Sequence, residues 1–332
     1  MNQVLLTRLF KSIEGDENTP LMKIAHNIIE DENKKGHTKL ANKLQAILNK
    51  KLDQSQRAPA LKQVKEHIYK IPLDRRYRLP LATHIEHEFL RHEMVLQASV
   101  EDKIFRIEKE YAARERLAHY GLKPRRKILF YGSSGCGKSM GAERIAWDLG
   151  LPFHKVRFDS IMSSYLGESA ANLQKLFDSI KDYPCVLLLD EFDIIGKQRE
   201  LASNDVGEMH RIVNILLGLL EEYDGEGILI ATTNLEGSLD KALFRRFDDF
   251  IELPKPSNKE VKELLVMTFS ALNLSKEIDL NLYAKKMIGF SSALIVKIAQ
   301  DAAKKSIINS TGLILPVHLD QALEENMALN KS

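Results

Sequence analysis

Eight consecutive residues, Gly132-Ser133-Ser134-Gly135-Cys136-Gly137-Lys138-Ser139, set glycine, lysine and a hydroxyl at the spacing of a loop that holds phosphates. They follow KILFYG, predicted as a strand, and precede a stretch of mixed character predicted as a helix through Leu149. Glycines there let the backbone turn inward, so that its N–H groups and the helix N-terminus surround phosphate oxygens. Lys138 is expected to reach the β- and γ-phosphates of a nucleotide, and Ser139 to ligate Mg2+. Cys136 is read as part of the same loop, with no redox role.

A second chemical feature is Cys185-Val186-Leu187-Leu188-Leu189-Asp190-Glu191, an apolar run ending in two carboxylates. Asp190 at the strand tip is expected to hold the water shell of Mg2+, and Glu191 to polarise an attacking water. Neighbouring side chains on a strand point to opposite faces, so the two roles require the backbone to turn after Asp190. Asp193 is given a structural role.

The elements that must position these groups alternate. Strand HKVRFD, helix SAANLQKLFDSI, strand CVLLLD, a long helix ending near Tyr223, strand GILIATT, a short helix at Leu239 to Phe244 and strand DDFIELP follow the loop in order. Strands separated by helices imply an α/β fold, a parallel sheet covered on both sides. Ala170, Leu173, Leu176, Phe177 and Ile180 give one helix a single buried stripe. Beyond Pro254 and Pro256 the pattern is helical throughout: Lys259 to Ala271, Leu280 to Ile288, Ser291 to Ile308 and Val317 to Met327. Ahead of the sheet, Thr19-Pro20 reads as a helix start, followed by Ile24, Ile28 and Ile29 and then Leu40, Leu44, Ile47 and Leu48 at helical spacing. Helical periodicity is also read from Ala82 to Tyr120. The expected organisation is a helical N-terminal region at 1–120, a P-loop α/β core at 121–256 and a small all-helical lid at 257–332.

Apolar content of 44% and charged content of 28% fit a globular protein. A net charge of +2 gives no bulk attraction to nucleic acid. Two cysteines, Cys136 and Cys185, do not make a disulfide framework. The N-terminus lacks the marks of a signal peptide, and no run approaches the roughly 18 apolar residues of a membrane span. A cytoplasmic, non-membrane protein is expected.

With these motifs in this order, the chain resembles an AAA+ ATPase, in the branch that includes proteasomal, membrane-protease and vesicle-disassembly ATPases, and is most similar to single-module bacterial members. The resemblance runs from about Tyr120 to Ile308 and implies ATP and Mg2+ as cofactors. It places Asn234, at the end of ILIATTN, where a polar side chain orients the attacking water; from the residues alone Thr232 and Thr233 are alternatives. Leu239 to Asp248 resembles the region whose arginines enter the neighbouring subunit's site. Arg245 is the first choice for that finger and Arg246 the second, adjacent here where the commoner form has a proline-glycine spacer. Ser164-Tyr165-Leu166-Gly167-Glu168 matches the loop that grips substrate in the pore, with Tyr165 as the aromatic and Leu166 and Gly167 beside it. Gly289 to Leu294 resembles the nucleotide-capping segment of the lid, with Ser292 in place of glycine and Leu294 in place of an acid. Gly207, Glu208 and Arg211 are read as interface positions.

The implied activity is ATP hydrolysis by a homo-oligomeric ring, most often a hexamer, that remodels, unfolds or disassembles a protein client recruited by the N-terminal helices. A partner protease is an implied possibility. Rival readings are a nucleotide-gated switch that does not thread its partner, and a DNA-associated ATPase. The lead-in Gly121 to Arg126 is expected to border the base, with Lys123, Arg125, Arg126 and Lys127 beside the nucleotide. His84, His87, Glu88 and His92 share a face if helical, a weak metal candidate. Arg75-Arg76-Tyr77-Arg78 reads as a charged surface rather than a nucleic-acid contact.

Overall fold

The structure, a computed structural model, describes residues 28, 29, 41, 42, 44, 45, 71–74, 77–162, 168–192, 206–234, 245–308 and 312–329. The chain divides into two compact units, one of Met1–Tyr69 with Ser270–Asn273 and the other of Lys70–Phe269 with Leu274–Ser332. In the first, residues 28, 29, 41, 42, 44 and 45 are helical, and Ile29, Ala41 and Leu44 are buried.

The second unit is built on a six-stranded sheet. Its strands are β1 (Ala82–Ile85), β2 (Lys127–Tyr131), β3 (Phe153–Val156), β4 (Val186–Leu189), β5 (Ile228–Thr233) and β6 (Asp249–Glu252), in the spatial order β1-β3-β4-β5-β2-β6. All neighbours from β3 to β6 pair parallel. β4 and β5 are buried at every residue, which is why they read as unbroken apolar runs. Helices α1 (Ala98–Ala112), α2 (Arg114–His119), α3 (Lys138–Leu149), α4 (Phe158–Met162), α5 (Glu168–Ile180) and α6 (Val206–Glu222) accompany the sheet. α3 packs on β4 and β5 and is covered by α1, while α5 packs on α6. The stripe of α5 buries Leu173, Leu176, Phe177 and Ile180 as predicted. α3 approaches β2 closely: a Cβ on Gly141 would lie 2.9 Å from the fully buried Phe130 ring. The lid helices are α7 (Asn258–Thr268), α8 (Leu280–Lys286), α9 (Ser292–Ile308) and α10 (Pro316–Leu329). α7 starts at a capping box between Ser257 and Glu260, and α9 packs against both α7 and α10 through Ile295, Ile298, Ala299 and Ala302. Among the described residues no helix is long and apolar enough to cross a membrane.

The helical reading of residues 82–120 holds only from Ala98 to His119. Ahead of it, Ala82–Ile85 pairs antiparallel with Phe153–Val156 and adds an edge strand to the sheet. A single 3-10 turn (His87–Phe89) and an irregular stretch then lead to α1. The histidine spacing was a coincidence of composition, because backbone pairing to β3 decides the local structure. His84 lies on β1, 5.0 Å from the ring of His154, while His92 stacks on Trp147 at 3.8 Å. Burial, reinforced by His84, lowers His154 to about 4, so it is neutral. Among the described residues no group of metal-ligating side chains converges.

Between α1 and α3 the apolar contact is flanked by charges. Arg144 pairs with Glu101 and with Asp148, and Glu108 is placed against Asp148. Burial, then the Asp148 charge and hydrogen bond, raise Glu108 to about 8 from its ordinary 4.5. The folded chain therefore keeps a proton that the unfolded chain releases between those values, and stability falls as pH rises from 4.5 to 8. Glu108→Gln removes that dependence. Its thermal midpoint, compared with wild type, is expected to be higher at pH 8.5 and indistinguishable near pH 4, as read by calorimetry across pH.

Candidate functional site

The glycine-rich loop leaves the C-terminal end of β2 and turns into α3, whose N-cap Gly137 has φ 93°, a left-handed conformation that glycine supplies without strain. Lys138 is buried and its Nζ donates to the carbonyls of Gly132 and Ser133 at 2.7 and 2.8 Å. This coiling of the loop around its own lysine places Ser139 at the start of the helix, where it faces the tip of β4.

Asp190 follows β4 and is the meeting point of three donors. Ser139 Oγ donates to its Oδ1 at 2.7 Å and Thr232 Oγ1 to the same oxygen at 2.6 Å, while Lys155 Nζ lies 2.6 Å from Oδ2. Burial pushes the Asp190 carboxyl up, but the hydrogen bonds from Lys155, Thr232 and Ser139 outweigh it and hold the group below the usual carboxylate range. Immediately after Asp190 the chain does turn: Glu191 has φ 53°, uncommon for a residue with a side chain and costly unless its surroundings fix it. They do so here, since the Glu191 N–H donates to Thr232 Oγ1 at 2.9 Å and the Phe192 N–H to the Thr232 carbonyl at 2.8 Å. Glu191 is consequently exposed beside a carboxylate that is not.

These residues wall a cavity of about 570 Å³. Residues 134–140 of the loop and helix start form one side, and Asp190, Glu191, Thr232 and Asn234 a second. Two further walls complete it, of which only the lid was expected, from the resemblance of Gly289 to Leu294 to a nucleotide-capping segment. One is Arg91, Glu93, Met94 and Val95, from the stretch before α1. The other is the lid, through Leu264 and Met267 of α7 and Ala293 and Val296 of α9. The lid is attached to the loop directly, the Ala293 N–H donating to the Gly135 carbonyl at 2.9 Å. Gly121 to Arg126, expected beside the base, do not line this cavity. Lys123 to Arg126 precede β2 and, with Lys127 at its start, border a separate cavity at the opposite end of the sheet with Tyr223 and Asp248. Strand polarity makes the difference, because a five-residue strand separates its two ends by roughly 15 Å.

The stretch carrying Arg91 is held on α3 by a carboxylate. Glu143 is buried, and its Oε2 accepts from the Arg91 N–H at 2.9 Å and Nε at 2.8 Å, with Nη2 on Oε1. A buried glutamate in an otherwise apolar helix face is the one sequence signal that asks for such a partner. Asn234 borders the cavity, whereas Thr232, the alternative within the same strand, makes the direct contacts with the acidic pair. Arg245 is exposed, and Arg246 is half-buried with Nη2 3.0 Å from Glu221 Oε2 on α6. Tyr165, Leu166, Gly167, Asp193 and Leu239 to Phe244 lie outside the described residues, as do the side chains of Glu208 and Arg211.

The donor set suits the groups expected. A hydroxyl and a carboxylate oxygen side by side are hard ligands of the kind that hold Mg2+ with several of its waters. Apolar lining from Met94, Val95, Leu264, Met267 and Val296 suits the faces of a flat base.

Comparison with known proteins agrees. Residues 128–255 match the family model described as ATPase family associated with various cellular activities (AAA). Over 321 residues the chain is 33% identical to the uncharacterized AAA family ATPase y4kL of Sinorhizobium fredii, a match covering 97% of this chain and 94% of that protein.

Thr232→Val keeps the shape of the side chain and removes its hydroxyl, leaving the Glu191 N–H without its partner and Asp190 with one donor fewer. The expected cost is about 1–3 kcal/mol in denaturant unfolding, because a buried donor is left unpaired. Turnover should fall by more than the affinity for ATP, measured on the same preparation.

Proposed function

Since the chain belongs to the AAA family of ATPases and hydrolyses ATP, we propose that it spends that hydrolysis on remodelling a protein client as a ring of identical subunits, most simply a hexamer. The observation that carries this reading is the shared cavity. Phosphate loop, acidic pair and lid helices border one space, and the Ala293–Gly135 hydrogen bond ties lid to loop. A nucleotide in that space touches both parts of the unit, so a change in its phosphates is felt by the lid.

In this reading Gly132 to Ser139 cradle the phosphates, with Lys138 exchanging its loop carbonyls for phosphate oxygens. Ser139 and Asp190 hold Mg2+, which when bound neutralises charge on the β- and γ-phosphates. Glu191, fixed by Thr232 in its left-handed turn, accepts the proton of the attacking water, and Asn234 orients that water. Arg245, exposed where Arg246 is paired with Glu221 of its own subunit, is the better candidate to stabilise phosphate charge in the neighbouring site. Tyr165, flanked by Leu166 and Gly167, grips the client in the pore. Recruitment of the client, or of a partner protease, falls to the N-terminal region and within it to Met1–Tyr69, which forms a separate unit.

Glu191→Gln is expected to bind ATP while turnover drops by about a hundredfold or more, the scale of a lost general base. In ATP and Mg2+ this variant should assemble into rings by native mass spectrometry and retain protein clients from a lysate of its source cell, with Lys138→Ala as the non-binding control. Loss of those clients in Glu191→Gln/Tyr165→Ala supports threading. Retention of one fixed partner irrespective of Tyr165 replaces threading with a nucleotide-gated switch, and nuclease-sensitive complexes replace it with a DNA-associated role.

A further inference from the structure

One charged group at the site has no part in the scheme above. Lys155 stands on β3 opposite Leu188 of β4, and Leu188 in turn stands opposite Ile230 of β5. Register mates in a parallel sheet point the same way, and residues two apart on a strand share a face. Asp190, two beyond Leu188, and Thr232, two beyond Ile230, therefore project on the same side as Lys155. The result is a row across three strands, with Asp190 in the middle, Thr232 on Oδ1 from one side and Lys155 on Oδ2 from the other, at 2.6 Å each.

Both oxygens of Asp190 are thus engaged, and among the described residues the cation hydrogen-bonded to them is the Lys155 ammonium, with Arg91 acting on Asp190 only through its charge. A Mg2+ held between Ser139 and Asp190 would stand against the same carboxylate. Two cations sharing one carboxylate repel each other at short range in a partly buried site, where water screens poorly. The lysine is equipped to withdraw, since its side chain is 45% exposed and its ammonium sits on a flexible four-carbon stem. We propose that Lys155 is the resident counter-ion of Asp190, displaced when Mg2+ and nucleotide load, and that it sets the Mg2+ concentration at which the site fills. This inference rests on the assignment of Ser139 and Asp190 to the metal.

The test is a Mg2+ titration of binding to a fluorescent non-hydrolysable ATP analogue, on the full-length chain, for wild type, Lys155→Met, Lys155→Gln and Lys155→Arg. Removal of the competing charge in the Met and Gln variants should lower the half-saturating Mg2+ by about threefold to fivefold, the upper part of the range of an exposed ion pair. The Arg variant, which keeps the charge, should stay within about twofold of wild type. The Mg2+-induced rise in thermal midpoint in the presence of the analogue should be larger for Met and Gln than for wild type. Should Lys155→Met unfold, Lys155→Gln carries the same comparison. An unchanged half-saturating Mg2+ in a folded variant overturns the proposal. So does a weaker affinity for the analogue without a shift in Mg2+ dependence, which would make Lys155 a phosphate ligand instead. If wild-type binding itself does not depend on Mg2+, the metal assignment to Ser139 and Asp190 fails, an outcome separable from either of those.

Discussion

Asp190 is a carboxylate at the end of four fully buried apolar residues, and the arrangement of the site follows from what it takes to keep it charged there. Burial alone would favour the protonated acid. Three donors reverse that preference, and each comes from a different part of the chain: Lys155 from β3, Thr232 from β5 and Ser139 from α3. They meet only because β4 lies between β3 and β5 with β2 next in line, so that the loop leaving β2 returns over the same strand tips. The crevice beyond the carboxyl ends of the strands is the place where a sheet of this kind presents converging polar groups to a ligand. Of the three donors, Thr232 is the one that couples Asp190 to the turn that exposes Glu191, because its hydroxyl bonds to both.

What the sequence disclosed and what it concealed divide along the same line. Gly132 to Ser139 and Asp190-Glu191 are contiguous, so local spacing carried them. The buried strands announced themselves as VLLL and ILIATT, and the lid helices by their periodicity, to within a few residues at each end. Thr232 was visible only as an alternative to Asn234. Choosing between them requires the register of β5 on β4, which no single strand contains. The stretch before α1 was misread altogether. His84, His87 and His92 imitate helical spacing, while the forces that shape the stretch are backbone pairing to β3 and the Arg91–Glu143 contact. The basic residues before β2 were misplaced for a related reason, since closeness to the loop in sequence is distance across the sheet in space.

The glutamate that anchors Arg91 shows how the cavity beside Asp190 is made from parts of unlike rigidity. α3 is fixed on the sheet by Ile145, Ala142 and the close approach of Gly141 to Phe130. The stretch of Arg91 to Val95 has no ladder of its own and borrows its position from α3 through Glu143. The lid has a self-contained apolar core in α7, α9 and α10, and meets the loop through a backbone hydrogen bond. A strongly packed floor under lightly tied walls is the distribution of stability expected where a ligand is to move something.

The adjacent arginines extend that logic to the edge of the subunit. Each guanidinium carries a permanent charge and five donors in a fork that matches a carboxylate or a phosphate. Arg246 has one within its own chain, on α6 through Glu221, and is half-buried by it. Arg245 is exposed on the segment leading to β6, beside β2, the strand that feeds the phosphate loop. Because the two are adjacent, the ion pair of Arg246 with α6 also restricts where Arg245 can stand. If Arg245 serves a neighbour's phosphates as proposed, that restriction helps, because the ordering of a long side chain at the moment of contact would subtract from the charge stabilisation it brings.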